Sequence, residues 1–307
     1  MKTLWILLVV LCCTTGLSQT NTVSLIVLGT VQDGGSPHIG CRRECCAVLF
    51  EHPDPTRMVV SLGVIDHGNE KTYLFEATPD MSRQLKVFKK YTNQNQETPN
   101  GIFLTHAHIG HYSGLLFLGR EALGANSVPV YVMPKMKRFL ETNGPWSQLV
   151  DLKNIALQPI FDGQKIVLTS NLSVVPFTVP HRDEFSETVG YKIIGPNKSI
   201  LFIPDIDKWG KWTTSIVEEI KQVDYAFLDA TFYDGKEINN RDISEIPHPL
   251  VIESMALFKS LPKEDKSKVH FIHLNHTNPL LDSNSKAFKT VKEAGGNVAQ
   301  FLQAFSL

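Results

Sequence analysis

Residues 102–111, Ile-Phe-Leu-Thr-His-Ala-His-Ile-Gly-His, constrain this chain most: an apolar run leads directly into histidines at 106, 108 and 111. The run reads as a strand that opens into a polar loop. Side chains alternate faces along a strand, so His106 and His108 point the same way, and a turn through Ile109 and Gly110 can return His111 beside them. Neutral imidazole is the commonest nitrogen ligand of zinc and related metals. Ordinary core or surface histidines are the alternative, but two on one face at a strand end are hard to explain otherwise. The stretch reads as a metal site, and a metal site needs further ligands from distant parts of the chain.

Four later positions fall where an apolar run meets a polar loop, which is where a scaffold presents functional groups. They are His181 after 174–180, Asp205 after 200–204, Asp229 after 226–228, and His273 within 269–274. Each has a plain alternative. A histidine can simply bond a backbone carbonyl, and an aspartate closing a strand is a common turn or cap residue. Asp229 is at least as well suited to orienting a ligand as to being one.

At 307 residues with 42% hydrophobic composition, the chain can bury a large core. Thirty basic residues against thirty-one acidic ones give a net charge of -1, without the basic stripe a nucleic-acid partner requires. Residues 1–18 carry Lys2, an apolar run from Leu4 to Cys13, and small Gly16 and Ser18. They read as a secretory signal, so the protein is expected to be secreted or periplasmic. Cys12 and Cys13 raise a lipoprotein alternative, which bulky Val10 and Leu11 argue against. No later run is long and apolar enough for a stable membrane span. One domain is expected over residues 20–307, acting on a small-molecule substrate, with a homo-oligomer open.

Beyond the signal, only Cys41, Cys45 and Cys46 remain. An odd count in an exported protein argues against a simple disulfide framework, although a bridge from Cys41 to Cys45 or Cys46 is sterically conceivable. Ligation of a metal by the thiolates is the sharper reading.

The pattern predicts strands at 23–28, 58–65, 71–76, 128–133, 166–168, 172–179, 189–194, 199–203, 225–228 and 269–274, besides the run to Thr105. Residues 30–46 read as a long shaped loop, and helices are expected at 80–91, 112–123, 211–221 and 250–260. Strands outnumber helices, and helices fall between strand groups. That order suits an α/β, four-layer αββα sandwich, with two sheets face to face and helices outside. His270 is expected on the opposite strand face from His273, at the surface.

The histidine run resembles the HxHxDH signature of the metallo-β-lactamase superfamily, with Gly110 where that motif has aspartate. The resemblance implies that His106, His108 and His181 hold one metal and that Asp205 bridges to a second beside His111 and His273. Asp205 and His111 are then the catalytic candidates. With no carboxylate at 110, a one-metal or asymmetric two-metal centre is expected. Zinc is the expected ion, with iron or manganese open. A metal-bound hydroxide acting on a phosphodiester or lactone is the implied chemistry.

Leu28-Gly29-Thr30, Asp33-Gly34-Gly35, the segment 76–80, Asp229-Ala230-Thr231-Phe232, Ile246-Pro247-His248 and Thr277-Asn278-Pro279 resemble the pyrroloquinoline quinone biosynthesis protein B branch. That branch implies an iron-dependent oxidase or hydroxylase as the rival activity. A metal-stabilised binding protein without catalysis is the other rival. By position, His248, Asp33 and Asp80 are substrate-pocket candidates, and either aspartate is a candidate source of the carboxylate lost at 110. A similarity to the cyclic phosphodiesterase of phosphonate breakdown implies one structural zinc, held by Cys41, Cys45, Cys46 and His276.

Overall fold

Strands in this chain end repeatedly at one edge, and that edge builds the site. The computed structural model describes residues 22–237 and 245–307; the expected signal segment lies outside them. One sheet contains β1 (Val23–Gly29), β2 (Ser61–Asp66), β3 (Lys71–Phe75), β4 (Gly101–Phe103), β5 (Val128–Val132) and β6 (Ile155–Pro159). The other contains β7 (Ile166–Val167), β8 (Ser173–Thr178), β9 (Val189–Ile194), β10 (Ser199–Ile203), β11 (Tyr225–Asp229), β12 (Val269–Ile272) and β13 (Asn297–Val298). The last strand, β14 (Ala304–Ser306), returns to the first sheet beside β1.

Alternation along the strands sorts residues into layers. Leu25 and Val27 of β1 face Ile200 and Phe202 of β10 across a core between the sheets, where Phe75, Phe103 and Tyr191 also meet. Ile26 and Leu28 face outward into a layer with the helix Met81–Phe88, and the helix Pro134–Thr142 covers the far end of the same face at β6. Leu201 and Ile203 face outward onto Ile216–Lys221, Val251–Leu257 and Lys286–Glu293. The fold is the expected αββα sandwich. No helix among the described residues is long and apolar enough to cross a membrane.

Strand direction explains where the loops gather. β3 and β4 are parallel, as are β10, β11 and β12. Two antiparallel steps give β1 the direction of β3, and two more give β8 the direction of β10. Their carboxyl ends share one edge, the usual place for a ligand site in sheets of this kind. Two stitches close the sheets together there. Val31 bridges Leu274, with Gln32 N–H donating to Leu274 O at 2.9 Å, and Val189 N–H donates to Thr105 O at 3.1 Å.

Three local expectations need correction. Cys45 and Cys46 lie on a helix, Glu44–Glu51, rather than in a loop. That helix buries only Cys46 and exposes Val48 and Phe50, so it has no apolar stripe to read. The helix expected at 112–123 is a short turn, Ile109–Tyr112, followed by a 3-10 segment, Ser113–Leu118. Gly114 N–H donates to Ala77 O at 2.8 Å, and a Cβ on Gly114 would lie 2.1 Å from Thr78 O, so the chain presses on the 77–78 loop instead of completing a regular helix. His270 is buried, its ring stacked on Phe227 at 5.2 Å and edge-on to Phe305 at 4.9 Å. The outer face of β12 is covered by helices, and its inner face is closed by β14, so neither face is surface.

Candidate metal centre

Most of the centre's metal-ligand candidates sit just past a strand end, where the backbone no longer pairs and the side chain can turn inward, and His111 comes from the turn Ile109–Tyr112. His106 and His108 follow β4 rather than lying on it. Their loop is pinned by Ala107 N–H to Ser186 Oγ at 2.8 Å and by the Tyr191 hydroxyl, which donates to Leu104 O. His181 follows β8, Asp205 follows β10, and His273 follows β12. His273 and Glu76 both adopt left-handed backbone, at φ 65° and 77°. Such conformations cost energy in residues other than glycine and cluster at functional sites.

Asp205 is the hub. Its Oδ2 lies 3.3 Å from His106 Nε2, 3.3 Å from His181 Nε2, 4.0 Å from His108 Nδ1, 3.8 Å from His111 Nε2 and 3.9 Å from His273 Nε2. Two atoms bound at about 2.1 Å to one tetrahedral ion stand about 3.4 Å apart, so these spacings have the scale of a ligand shell. His106, His108, His181 and Asp205 each offer an atom within 4.8 Å of the others. Asp33, His111 and His273 do the same on the other side of Asp205.

Each ring turns one nitrogen to an outer polar atom, within hydrogen-bond reach at His106, His108, His181 and His273 and at ion-pair distance at His111. Thr105 Oγ1 is 2.8 Å from His106 Nδ1, Glu184 Oε2 is 3.2 Å from His108 Nε2, and Asp207 Oδ1 is 3.3 Å from His181 Nδ1. Glu76 Oε1 is 3.4 Å from His111 Nδ1, and Thr231 Oγ1 is 2.8 Å from His273 Nδ1. The opposite nitrogens of His106, His111 and His273 are buried without a hydrogen-bond partner, and His111 Nδ1 is likewise without one. Buried polar atoms are rarely left so, and an outer partner that fixes ring and tautomer is what metal-bound histidines have. The donor set therefore fits a divalent cation.

The charges agree. Burial pushes His106 well below its usual range and lowers His108 and His273. Burial also opposes charge on His111, yet Glu76, Asp33 and Asp205 raise it to about 9. Against the same burial, Asp229 and Asp205 raise His248 well above its ordinary value. Asp205, though buried, is held well below the carboxylate range by His248, His181 and His273. The carboxylates are thus balanced by protons, and metal binding at such a centre would release protons.

His248 lies where a substrate residue is expected. Its Nδ1 is 2.8 Å from Asp229 Oδ2 and 3.1 Å from Asp205 Oδ1, and the residue lines a cleft of about 620 Å³ with Phe232, Arg42, Arg43 and Arg182. Asp229 serves as an orienter, also accepting from Thr231 Oγ1 at 2.7 Å and Ile206 N–H at 3.1 Å. Asp80 is not a pocket residue. Its Oδ2 accepts from Val59 N–H at 2.9 Å and its Oδ1 lies 4.0 Å from Arg83, at the start of helix Met81–Phe88. Asp33, the other aspartate offered for the carboxylate lost at 110, stands at the centre: its Oδ1 is 3.9 Å from His273 Nε2.

Cys41, Cys46 and His276 offer atoms within 4.8 Å of one another. Cys45 is outside that group, with Sγ 3.8 Å from Cys41 Sγ, and all three cysteines are free thiols. Burial raises Cys46 to about 12 and lowers His276 to about 4. His38 closes this corner by stacking on His276 at 4.5 Å.

The sequence reading missed the outward partners Glu184 and Asp207 and the orienting roles of Glu76 and Thr231. Asp207 stands two residues past Asp205 and Glu76 immediately past β3, positions that strand ends alone could have flagged.

Residues 71–273 match the beta-lactamase superfamily domain, and the chain belongs to that family. It resembles the Coenzyme PQQ synthesis protein B branch. The protein of that name from Methylococcus capsulatus is 26% identical over 89% of this chain and 96% of its own length. The one from Gluconobacter oxydans is 25% identical over 93% and 99%. Among solved structures, zinc-bound PqqB from Methylobacterium extorquens superposes with a TM-score of 0.76 at 20% identity, covering 92% of this chain and all of the other. A diphosphatase of the PhnP family superposes with a TM-score of 0.62 at 22% identity, covering 93% and 97%. Both likenesses bear on the fold.

Proposed function

We propose that this protein is a metal-dependent hydrolase acting on a small anionic ester of the phosphodiester class, with lactones as the neutral counterpart. The observation that carries the reading is the set of five histidines that each turn one nitrogen to an outer polar partner and the other toward Asp205. His106, His108, His181 and Asp205 would hold a divalent ion, zinc in this reading; iron and manganese accept the same donors. Such an ion supplies Lewis acidity and brings the pKa of bound water to about 7. Asp205 orients the attacking water. His248, with two carboxylates on its Nδ1, holds a proton for the leaving oxygen. Arg182 and Arg42 at the cleft favour a negatively charged substrate. The apolar N-terminal segment supports action outside the cytoplasm, and Cys41, Cys46 and His276, with Cys45 as the fourth donor, are proposed to hold a structural zinc.

A second reading, an iron-dependent oxidation, is favoured by the near full-length similarity to Coenzyme PQQ synthesis protein B. Reconstitution separates the two. Metal-stripped protein reloaded with zinc or manganese should hydrolyse bis(p-nitrophenyl) phosphate or a simple lactone; dioxygen uptake only with iron, and no hydrolysis with any metal, would replace the first reading by the second.

A further inference from the structure

The backbone at Gly110 leaves no room for a side chain, because Asp33 is already there. A Cβ built on Gly110 would lie 1.8 Å from the Cβ of Asp33, 2.4 Å from its Cα and 3.2 Å from its Cγ. The side chain of Asp33 thus springs from almost the same point in space as a side chain at 110 would. Its carboxylate reaches the same neighbourhood, with Oδ1 3.9 Å from His273 Nε2 and an oxygen within 4.8 Å of both His111 and His273.

We propose that Asp33 is the carboxylate ligand of a second metal ion, supplied from the loop after β1 in place of the aspartate that the histidine motif lacks at 110. The inference deepens the metal-centre reading and rests on it. Its independent support is the pair of imidazole nitrogens facing the same spot. Nε2 of His111 and Nε2 of His273 are fully buried and have no hydrogen-bond partner. Asp205 Oδ2 stands 3.8 and 3.9 Å from them, between this group and the first. His111, His273, Asp33 and Asp205 form a mixed nitrogen–oxygen set, which suits zinc or manganese.

Loop placement follows from the fold. Val31 is stitched to Leu274, the residue after His273, by Gln32 N–H to Leu274 O at 2.9 Å and Leu274 N–H to Thr30 O at 2.8 Å. Asp33 is therefore carried to His273 by the backbone, and Gly110 is the space that lets it enter. The expected weak second site gives way to a complete one assembled from a different loop.

The test uses the full chain, stripped with chelator and titrated with zinc, with bound metal counted by elemental analysis after desalting. Wild type and variants are compared directly, so ions held at the cysteines cancel. Asp33→Asn keeps the shape and should hold one zinc fewer than wild type. Asp33→Gly combined with Gly110→Asp moves the carboxylate back to 110 and should recover that ion. An undiminished count in Asp33→Asn overturns the inference, and a loss that the double swap does not recover overturns the shared station of the two positions. A wild-type chain that takes up no zinc overturns instead the metal-centre reading on which the inference rests.

Discussion

Thr231→Val isolates the outer partners of the centre in a single hydroxyl. Thr231 Oγ1 meets Asp229 Oδ1 at 2.7 Å, His273 Nδ1 at 2.8 Å and His248 Nδ1 at 3.2 Å. A carboxylate only accepts, so the hydroxyl donates to Asp229 and its lone pairs receive the His273 Nδ1–H. That fixes the tautomer with Nε2 open to the centre. Valine keeps the volume and removes the oxygen. Asp229 Oδ1 still accepts from Thr231 N–H at 2.9 Å, but it lies 3.9 Å from His273 Nδ1, beyond hydrogen-bond range. In the metal-free variant the proton can move to Nε2, which relieves much of the loss. Metal binding forces it back to a buried nitrogen without an acceptor, at a cost of about 1–3 kcal/mol. The zinc dissociation constant should therefore rise by roughly 5- to 150-fold, while the melting temperature of metal-free protein changes little. Competition titration against a chromogenic chelator reads the constant, and Thr231→Ser is the control that should stay close to wild type. A Thr231→Val constant within about threefold of wild type would refute the orienting role, since outer-partner loss typically weakens metal sites by about 10–100-fold.

Further outcomes follow from other parts of the structure. His106→Ala should remove the first-site ion and bring hydrolysis to background while leaving the circular dichroism spectrum intact. Cys46→Ser should lower bound zinc by one equivalent relative to wild type without lowering the count at the histidine centre; an unchanged total would contradict the structural site. Burial holds His270 down at about 4, so the folded chain keeps that ring neutral where the unfolded chain, near pH 6.5, gains a proton. Its contribution is full above pH 6.5 and is lost as pH falls from 6.5 through 4, by about 3 kcal/mol in total. His270→Phe should flatten that part of the pH dependence, read as urea midpoints at pH 7 and 4.5. Phe103→Ala opens the inter-sheet core, where the ring stacks on Phe75 at 4.8 Å and Tyr131 at 4.3 Å, and should cost about 3–5 kcal/mol in urea unfolding.

Much of the fold was legible because its strands are strongly apolar and end abruptly. The expected strands at 189–194 and 199–203 match β9 and β10 residue for residue, and the same sharp endings marked His181, Asp205 and His273. Elements with little buried surface were not legible. Helix Glu44–Glu51 exposes most of its apolar residues, and β13 and β14 are only a few residues long. Helix Pro134–Thr142 carried a readable signal in its leading proline and in Met136 and Leu140 four residues apart. The centre divides the same way. Residues just past strand ends could be read from local pattern, whereas the coincidence of Asp33 with Gly110 depends on two loops from different strands meeting in space. No spacing along the chain encodes that meeting, which is why the sequence offered Asp33 and Asp80 alike for the carboxylate lost at 110.

Anomalous diffraction at the zinc absorption edge, from crystals of the zinc-loaded chain, tests the central claim most directly. The predicted result is a peak bounded by His106, His108, His181 and Asp205, with a second among Asp205, His111, His273 and Asp33. Zinc found only at the cysteines, with the histidine centre free of anomalous density, would contradict it.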